Sequence, residues 1–412
     1  MKIDQAKTDY PVVIIGGGMV GASFALALQQ RLGLDSAQRI LVIEAVAPVT
    51  QTSLQPSFDS RSTALSYGTR KIFSGMGLWT ALKDCAEAIR RIHVSDAGHF
   101  GSTQMDCTEL GVEALGYVLE NRQLGMVLQQ ALIGSALIEF LSPATVETVC
   151  PVAEGMSLQL RHGDKLQTLT ASLVVLVDGG RSPVCQQLGI TTNTESYGQQ
   201  AMVSTIAFEK PHDNTAFERF TETGPLAVLP LGNLDGLHRG ALVWTVANDD
   251  IVALQALTDT ELLDRLQQRF GYRLGRITRI GKRQSYPLSL AVAREQVRPG
   301  LALLGNVAHS LHPVAGQGFN LSLRDAEALA DQVAAALAAG ASPGAMSVLQ
   351  KFVDLQRRDQ NRTIDFSHQL IRWFSSNKRS RIWLRKTGLA AVDLLPVLKR
   401  EFARQAMGLA DR

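Results

Sequence analysis

Three short stretches of this chain carry residue types at spacings that could do chemistry. The first is Gly16-Gly17-Gly18-Met19-Val20-Gly21, a G-x-G-x-x-G. Where such a run joins a strand to a helix, its first glycine permits a tight turn. Its second lets backbone approach a pyrophosphate, and its third lets helix and strand pack closely. The free N–H groups at the helix start can then hold phosphates. Glu44, at the tip of the next apolar run, can accept hydrogen bonds from ribose hydroxyls. A glycine turn without a nucleotide is the bland alternative, but motif, strand context and terminal acid together point to a dinucleotide. The motif does not separate FAD from NAD.

The second stretch is Val177-Asp178-Gly179-Gly180-Arg181-Ser182, an acid and glycines directly after an apolar run. It suits a turn beside a ligand, although Asp-Gly is also common in ordinary turns. The third runs from Leu304-Gly305-Asn306 through His309, His312 and Gly316-Gln317-Gly318-Phe319-Asn320 to Arg324-Asp325-Ala326. Here Gly316 and Gly318 allow backbone to approach a flat ligand. The N–H groups of the helix that follows could stabilise negative charge on a reduced isoalloxazine ring. Histidines in such a place more often cap or pack than catalyse. No acid or third ligand sits at metal-binding spacing around His309 and His312, so a metal site is rejected.

These stretches need elements to hold them. Residues 11–45 read as strand, glycine turn, helix from Met19 to Leu32, and a second strand ending at Glu44, a βαβ unit. Thr52 to Arg61 reads as a loop, and helices are expected over Thr69–Leu82 and Asn121–Ile138. Buried strands are expected at Leu173–Val177 and from Leu301, the latter leading to a helix from about Asn320 to Ala339. Between about 185 and 285 short alternating strands appear, including Ala201–Phe208, Ala216–Phe220, Leu226–Leu229 and Gly240–Val246, with a helix near Thr258–Phe270. The fold class is therefore α/β, with a mostly antiparallel sheet inserted into a dinucleotide-binding domain and a helical C-terminus. The dinucleotide domain is expected over 1–75, 115–184 and 285–344, the substrate domain over 76–114 and 185–284, and the helical segment over 345–412.

Composition sets the outer limits. With 412 residues, 45% hydrophobic and 19% charged, the chain is ordinary globular material long enough for two or three modules. A net charge of +3 gives no global field for nucleic acid. Cys85, Cys107, Cys150 and Cys185 lie far apart with no CxxC pair, which fits buried thiols in a reducing compartment. The apolar run at Val12–Ile15 is too short for a signal peptide, and no segment approaches a membrane span, so a cytoplasmic location is expected.

Taken in order, the three stretches resemble the class A flavoprotein monooxygenases, which carry a glycine fingerprint early, an "ADG" turn in the middle and a "GDAAHxxxPxxGxGxN" stretch late. The resemblance covers residues from about 10 to 370. It sharpens toward the ubiquinone-biosynthesis hydroxylases at Phe58–Leu65, His93–His99, Gly224–Pro230, Phe270–Gly275 and Lys282–Leu288. The resemblance implies an FAD-binding Rossmann-like domain of the glutathione-reductase type. It also implies roles. Gly16, Gly18, Gly21 and Glu44 would hold the ADP half of FAD, with Arg61 and Arg122 along the cofactor. Asp178 would lie near the flavin and nicotinamide path. Asn306, Gly316, Gln317, Gly318 and Asn320 would lie along the ribityl chain and flavin ring. Two departures stand out: Asn306 replaces the family's usual Asp, and Cys185 stands where the middle motif usually ends in Arg.

The implied reaction passes hydride from the co-substrate NAD(P)H to the flavin. Oxygen is then inserted from O2, through a flavin C4a-hydroperoxide, into the ring of a polyprenyl phenol. Tyr286 or His312 could polarise the phenol, and Leu226–Leu229 could wall the substrate pocket. From 366 to 412, ten Lys or Arg face only three acids and alternate with apolar residues including Trp373 and Trp383. Such a segment can lie on an anionic membrane or meet partner proteins, or simply present a solvated face. Other readings stay open: a non-catalytic subunit on a flavoprotein fold, a hydroxylase of another ring carbon, or a flavoprotein with other chemistry. A halogenase fits poorly, because Trp79, Trp244, Trp373 and Trp383 are isolated and form no W-x-W-x-I.

Overall fold

A computed structural model describes residues 9–33, 36–47, 61–96, 102–180, 182–222, 224–312, 316–374 and 407–408. Its first sheet is built from the runs with apolar residues on both faces. Tyr10–Ile15 lies between Ile40–Ile43 and the end of Lys165–Leu176, with Ile138–Leu141 and Leu301–Leu303 outside them, all parallel. Val12, Val13, Ile14, Val174 and Val175 are fully buried, because helices and a second core cover the two faces. The Met19–Leu32 helix covers one face and packs on Gln317–Ala338, where Arg31 pairs with Glu327 at 3.1 Å and also with Asp331.

The second sheet has nine strands. From its edge inward run His309–Ser310, Gln284–Ala293, Thr192–Phe208, Leu237–Ala247, Gly224–Leu234, Thr215–Thr221, Arg91–Asp96 and Ser102–Asp106, with Ile277–Ile280 off the main path. Every pairing is antiparallel except that of Thr215–Thr221 with Arg91–Asp96. One face is sealed by the helices Asn248–Ala256 and Asp259–Phe270, which bury Met202, Leu226, Val228, Leu242 and Trp244. Thr258 starts the second of these with a capping box to Glu261, as its T-x-x-E spacing dictates. The other face looks toward the first sheet. A small third sheet joins Ser62–Ser66, Gly116–Glu120 and Glu87–Ile89.

Several boundaries differ from the periodicity. The helix expected over Thr69–Leu82 is two, Tyr67–Gly75 and Trp79–Leu82, parted where Gly77 takes φ 75°. The helix from Asn121 stops at Ile133 because Gly134 caps it. The helix expected from about Asn320 begins at Gln317. A hairpin of Thr145–Val152 with Gly155–His162, extended by the first half of Lys165–Leu176, was not visible as a pattern; many of its side chains face solvent.

Met346–Phe374 is a long helix, and Arg324 reaches it through Asp359, with Nη2 to Oδ1 at 3.1 Å. The expected loop at Thr52–Ser60, Arg181, and the basic stretch at 375–406 lie outside the described residues. Met407 and Gly408 are seated on the body: Met407 is buried, its carbonyl accepts from Gly68 N–H at 3.0 Å, and Gly408 lies over Ser66.

Candidate active site

The turn after the first strand is locked by backbone contacts. Gly16 has φ 110°, and a Cβ there would stand 2.5 Å from the Val177 carbonyl oxygen. A Cβ on Gly21 would stand 1.9 Å from the Gly16 carbonyl oxygen, so helix and turn meet at a distance only glycine permits. Glu44 completes the turn. Its Oε2 accepts from Gly17 N–H at 2.7 Å and its Oε1 from Val46 N–H at 2.9 Å. Two lone-pair sites remain on that carboxylate for hydroxyl donors.

This turn opens into a cavity of about 880 Å³, toward the upper end of the usual range for ligand sites. Its walls come from all three expected stretches: Gly16, Gly18 and Glu44; Asp178 and Gly179; Gly305, Asn306, Phe319 and Ser322. Burial pushes the Asp178 carboxyl up, against an opposing hydrogen bond from Ser182. Asn306 is exposed and stands among the residues lining the space. Opposite stands the open face of the antiparallel sheet, with Ala201, Val203, Val243, Gln284, Tyr286 and Leu288 in the wall. Arg61 lies over the Tyr286 ring, its Cζ 4.8 Å from the centroid, and the Tyr286 hydroxyl donates to Gln284 Oε1 at 2.7 Å.

The remaining expected site residues divide. Gly316 has φ 62° and caps the Gln317–Ala338 helix in a left-handed conformation, while Gln317 is buried at its first turn. Nothing stands within 4 Å of a Cβ added at Gly318, so open space lies beside that backbone. Asn320 is spent on the protein. Its Oδ1 accepts from Ser66 N–H at 2.9 Å and Thr69 Oγ1 at 2.7 Å. Its Nδ2 donates to the carbonyls of Ala64 at 2.9 Å and Gly316 at 2.6 Å. With all four bonds made, this side chain shapes the glycine cap and has no valence left to line a ring. Arg122 is exposed on its helix and is not among the cavity's lining residues. His309 Nε2 lies 2.6 Å from Asp325 Oδ2, both buried, a packing role. His312 is 1% exposed, edge-on to the Tyr197 ring, behind the wall rather than in it.

Pattern reading missed Lys282, Gln284, Thr63 and Asn121 in the walls. Gln284 could have been found by alternation from Tyr286 on the same strand. It also passed over Glu218, whose carboxyl burial pushes up to about 7.

Two buried groups give a testable pH signature. Burial drives His312 down to about 4 from 6.5, so below pH 6.5 the unfolded chain takes up a proton that the folded one refuses. That lowers stability as pH falls toward 4, by about 3 kcal/mol in all. Glu218 works in reverse: from pH 4.5 to about 7 the folded chain keeps a proton the unfolded one releases, so stability falls as pH rises, by a similar amount. The two slopes oppose. Relative to the parent, His312→Gln should lose stability more steeply as pH rises from 4.5 to 6.5, and Glu218→Gln less steeply. Urea unfolding at stepped pH reads both, and parallel profiles for all three proteins would refute this.

The glycine cradle, filled by any added Cβ, and the carboxylate at its rim fit the adenosine diphosphate part of a dinucleotide. Known proteins agree. The family model described as an FAD binding domain matches residues 9–350. A ubiquinone hydroxylase of Rhodospirillum rubrum, UbiL, is 35% identical over 402 residues, covering 96% of this chain and 89% of that one. The 3-demethoxyubiquinol 3-hydroxylase of Escherichia coli is 31% identical, covering 97% and 98%. Among solved structures, p-nitrophenol 4-monooxygenase of Pseudomonas putida superposes with a TM-score of 0.80 at 20% identity over 98% of both chains, a likeness of fold. On the family match and on relatives above 30% identity along nearly the whole chain, this protein belongs to the FAD binding domain family, in the flavoprotein monooxygenase branch that includes the ubiquinone hydroxylases.

Proposed function

We propose that this chain hydroxylates the aromatic ring of a polyprenyl phenol in ubiquinone biosynthesis, as an FAD-dependent monooxygenase using NAD(P)H and O2. One observation carries the reading: a single cavity joins a phosphate-binding glycine turn to the largely apolar face of the antiparallel sheet. Gly16, Gly18, Gly21 and Glu44 would hold the ADP half of FAD, with the backbone at Gly316–Gly318 beside its ring system. Bound FAD supplies oxygen activation once a nicotinamide has reduced it.

The protein's part is to bind, orient and exclude water. Val203, Val243 and Leu288 form a wall that offers water no hydrogen bonds, which favours oxygen transfer over release of peroxide. Arg61 on Tyr286 and Tyr286 on Gln284 make a fixed polar platform within it, able to position a ring oxygen. Among the described residues lining that part of the cavity the charged groups are Lys282 and Arg61, both cationic, so no carboxylate base stands there and the ring's own electron richness drives attack.

Purified protein should show the absorption bands of oxidised flavin. Adding a short-chain prenylated phenol should raise NAD(P)H oxidation at least tenfold, with one oxygen atom recovered in the ring by mass spectrometry. Oxygen uptake indifferent to the phenol would defeat this reading.

A further inference from the structure

Alternate residues of the sheet's open face line up across its strands. Gln284 opposes Val203, Val203 opposes Val243, Val243 opposes Ala227, and Ala227 opposes Glu218. The first three line the cavity. All five keep some accessible surface, whereas the next positions in the same row, Val94 and Thr103, are only 6% and 4% exposed. The flanking residues on Glu218's strand, Ala216 and Phe220, are buried too. The row is thus a shallow trough that starts at the cavity and closes at Glu218. Strand spacing puts Glu218 about 10 Å from Val243.

A carboxyl is an odd terminus for such a trough. Glu218 makes no hydrogen bond or ion pair with the described residues, and only burial shifts its proton affinity. Glu218 keeps partial accessible surface on the face it shares with Gln284, Val203 and Val243, while its neighbours Ala216 and Phe220 on that face are buried. An unpartnered buried carboxyl weakens a fold unless something hydrogen-bonds it. The sheet's other face, under the two helices, keeps its strands packed without this residue.

We propose that Glu218 is the polar anchor of the substrate pocket, hydrogen-bonding a ring hydroxyl delivered along the trough from the cavity. This rests on the phenol-hydroxylase reading above. Held protonated near neutral pH, the carboxyl can donate to a phenol oxygen as well as accept from its O–H. Leu229 and Ala227 on the neighbouring strand then touch the ring edge, and the apolar tail must leave by another route, since Val94 and Thr103 shut the far end.

The test uses FAD-loaded protein and two probes, a short-chain prenylated phenol and its methyl ether, with binding read by quenching of flavin fluorescence. The parent should bind the phenol at least about tenfold more tightly than the ether, as expected for one lost hydrogen bond to a buried carboxyl. Glu218→Leu should lose that preference while Glu218→Gln retains most of it, both with parental flavin absorption. If the parent binds both probes equally, or Glu218→Leu keeps the preference, the anchor is wrong while the ring-substrate reading stands. If the parent binds neither probe, the ring-substrate reading fails and the anchor with it. Equal binding of phenol and ether by the parent overturns the anchor even if Glu218→Leu does not fold, and Glu218→Gln then serves as the second variant.

Discussion

Gly21→Val should yield protein that carries no flavin and unfolds at far lower denaturant than the parent. The added Cβ would start 1.9 Å from the Gly16 carbonyl oxygen, about 1.5 Å inside ordinary contact. Backbone cannot swing aside as a side chain can. Relief requires the Met19–Leu32 helix to move off the Tyr10–Ile15 strand, and that helix is buried along Gly21–Leu28 and ion-paired to Gln317–Ala338. Overpacking of this kind destabilises by about 1–3 kcal/mol in a side-chain core and by more against backbone. Even a partial shift removes the N–H groups that the phosphates need. Gly75→Ala is the matched control: nothing stands within 4 Å of the new Cβ, and its φ is not positive, so stability should hold or rise by a few tenths of a kcal/mol. Flavin content and urea midpoints, read side by side, check both. A yellow Gly21→Val protein of parental stability would overturn the account of this turn.

The second large effect is expected at Asn320. Replacing it with alanine strands the Ser66 N–H, the Ala64 and Gly316 carbonyls and the Thr69 hydroxyl, in a region where Asn320 itself is 2% exposed. Each unsatisfied buried group costs about 1–3 kcal/mol, and some will find water, so a loss of about 3–5 kcal/mol is expected. Asn320→Asp should be no better. It keeps the acceptor but turns a second oxygen toward two carbonyls that had received N–H donors. FAD affinity should fall in both variants, because Gly316 loses the bond that fixes its left-handed cap. Equilibrium unfolding and flavin titration measure the two consequences separately. An aspartate variant close to the parent would show that the amide donors are idle.

What could be read from the residues, and what could not, follows from how local each signal is. The strand at Val12–Ile15, the glycine turn and the helix to Leu32 are written in contiguous residue types, and the structure has them where expected. The strands around Ala201 and Gly240 were legible because alternation is local, although they run longer than the pattern, to Thr192–Phe208 and Leu237–Ala247. The Thr145–His162 hairpin was not, since exposed residues on both sides erase the alternation. Asn320 sat in the right motif, but its use as a clamp depends on Ser66 and Thr69, some 250 positions away. Glu218 lay in plain view between Ala216 and Phe220. Its strand shows that the three share a face, but only the register of five strands shows that Glu218 falls in line with the cavity-lining residues Val243, Val203 and Gln284.

Met407 and Gly408 are seated beside Gly68 and Ser66. Ser66 is also the residue whose N–H the Asn320 amide holds, so Gly408 and Asn320 converge on one stretch of backbone. Whatever unseats Met407 from its core therefore reaches, through Gly68 and Ser66, the backbone that Asn320 ties to the Gly316 cap.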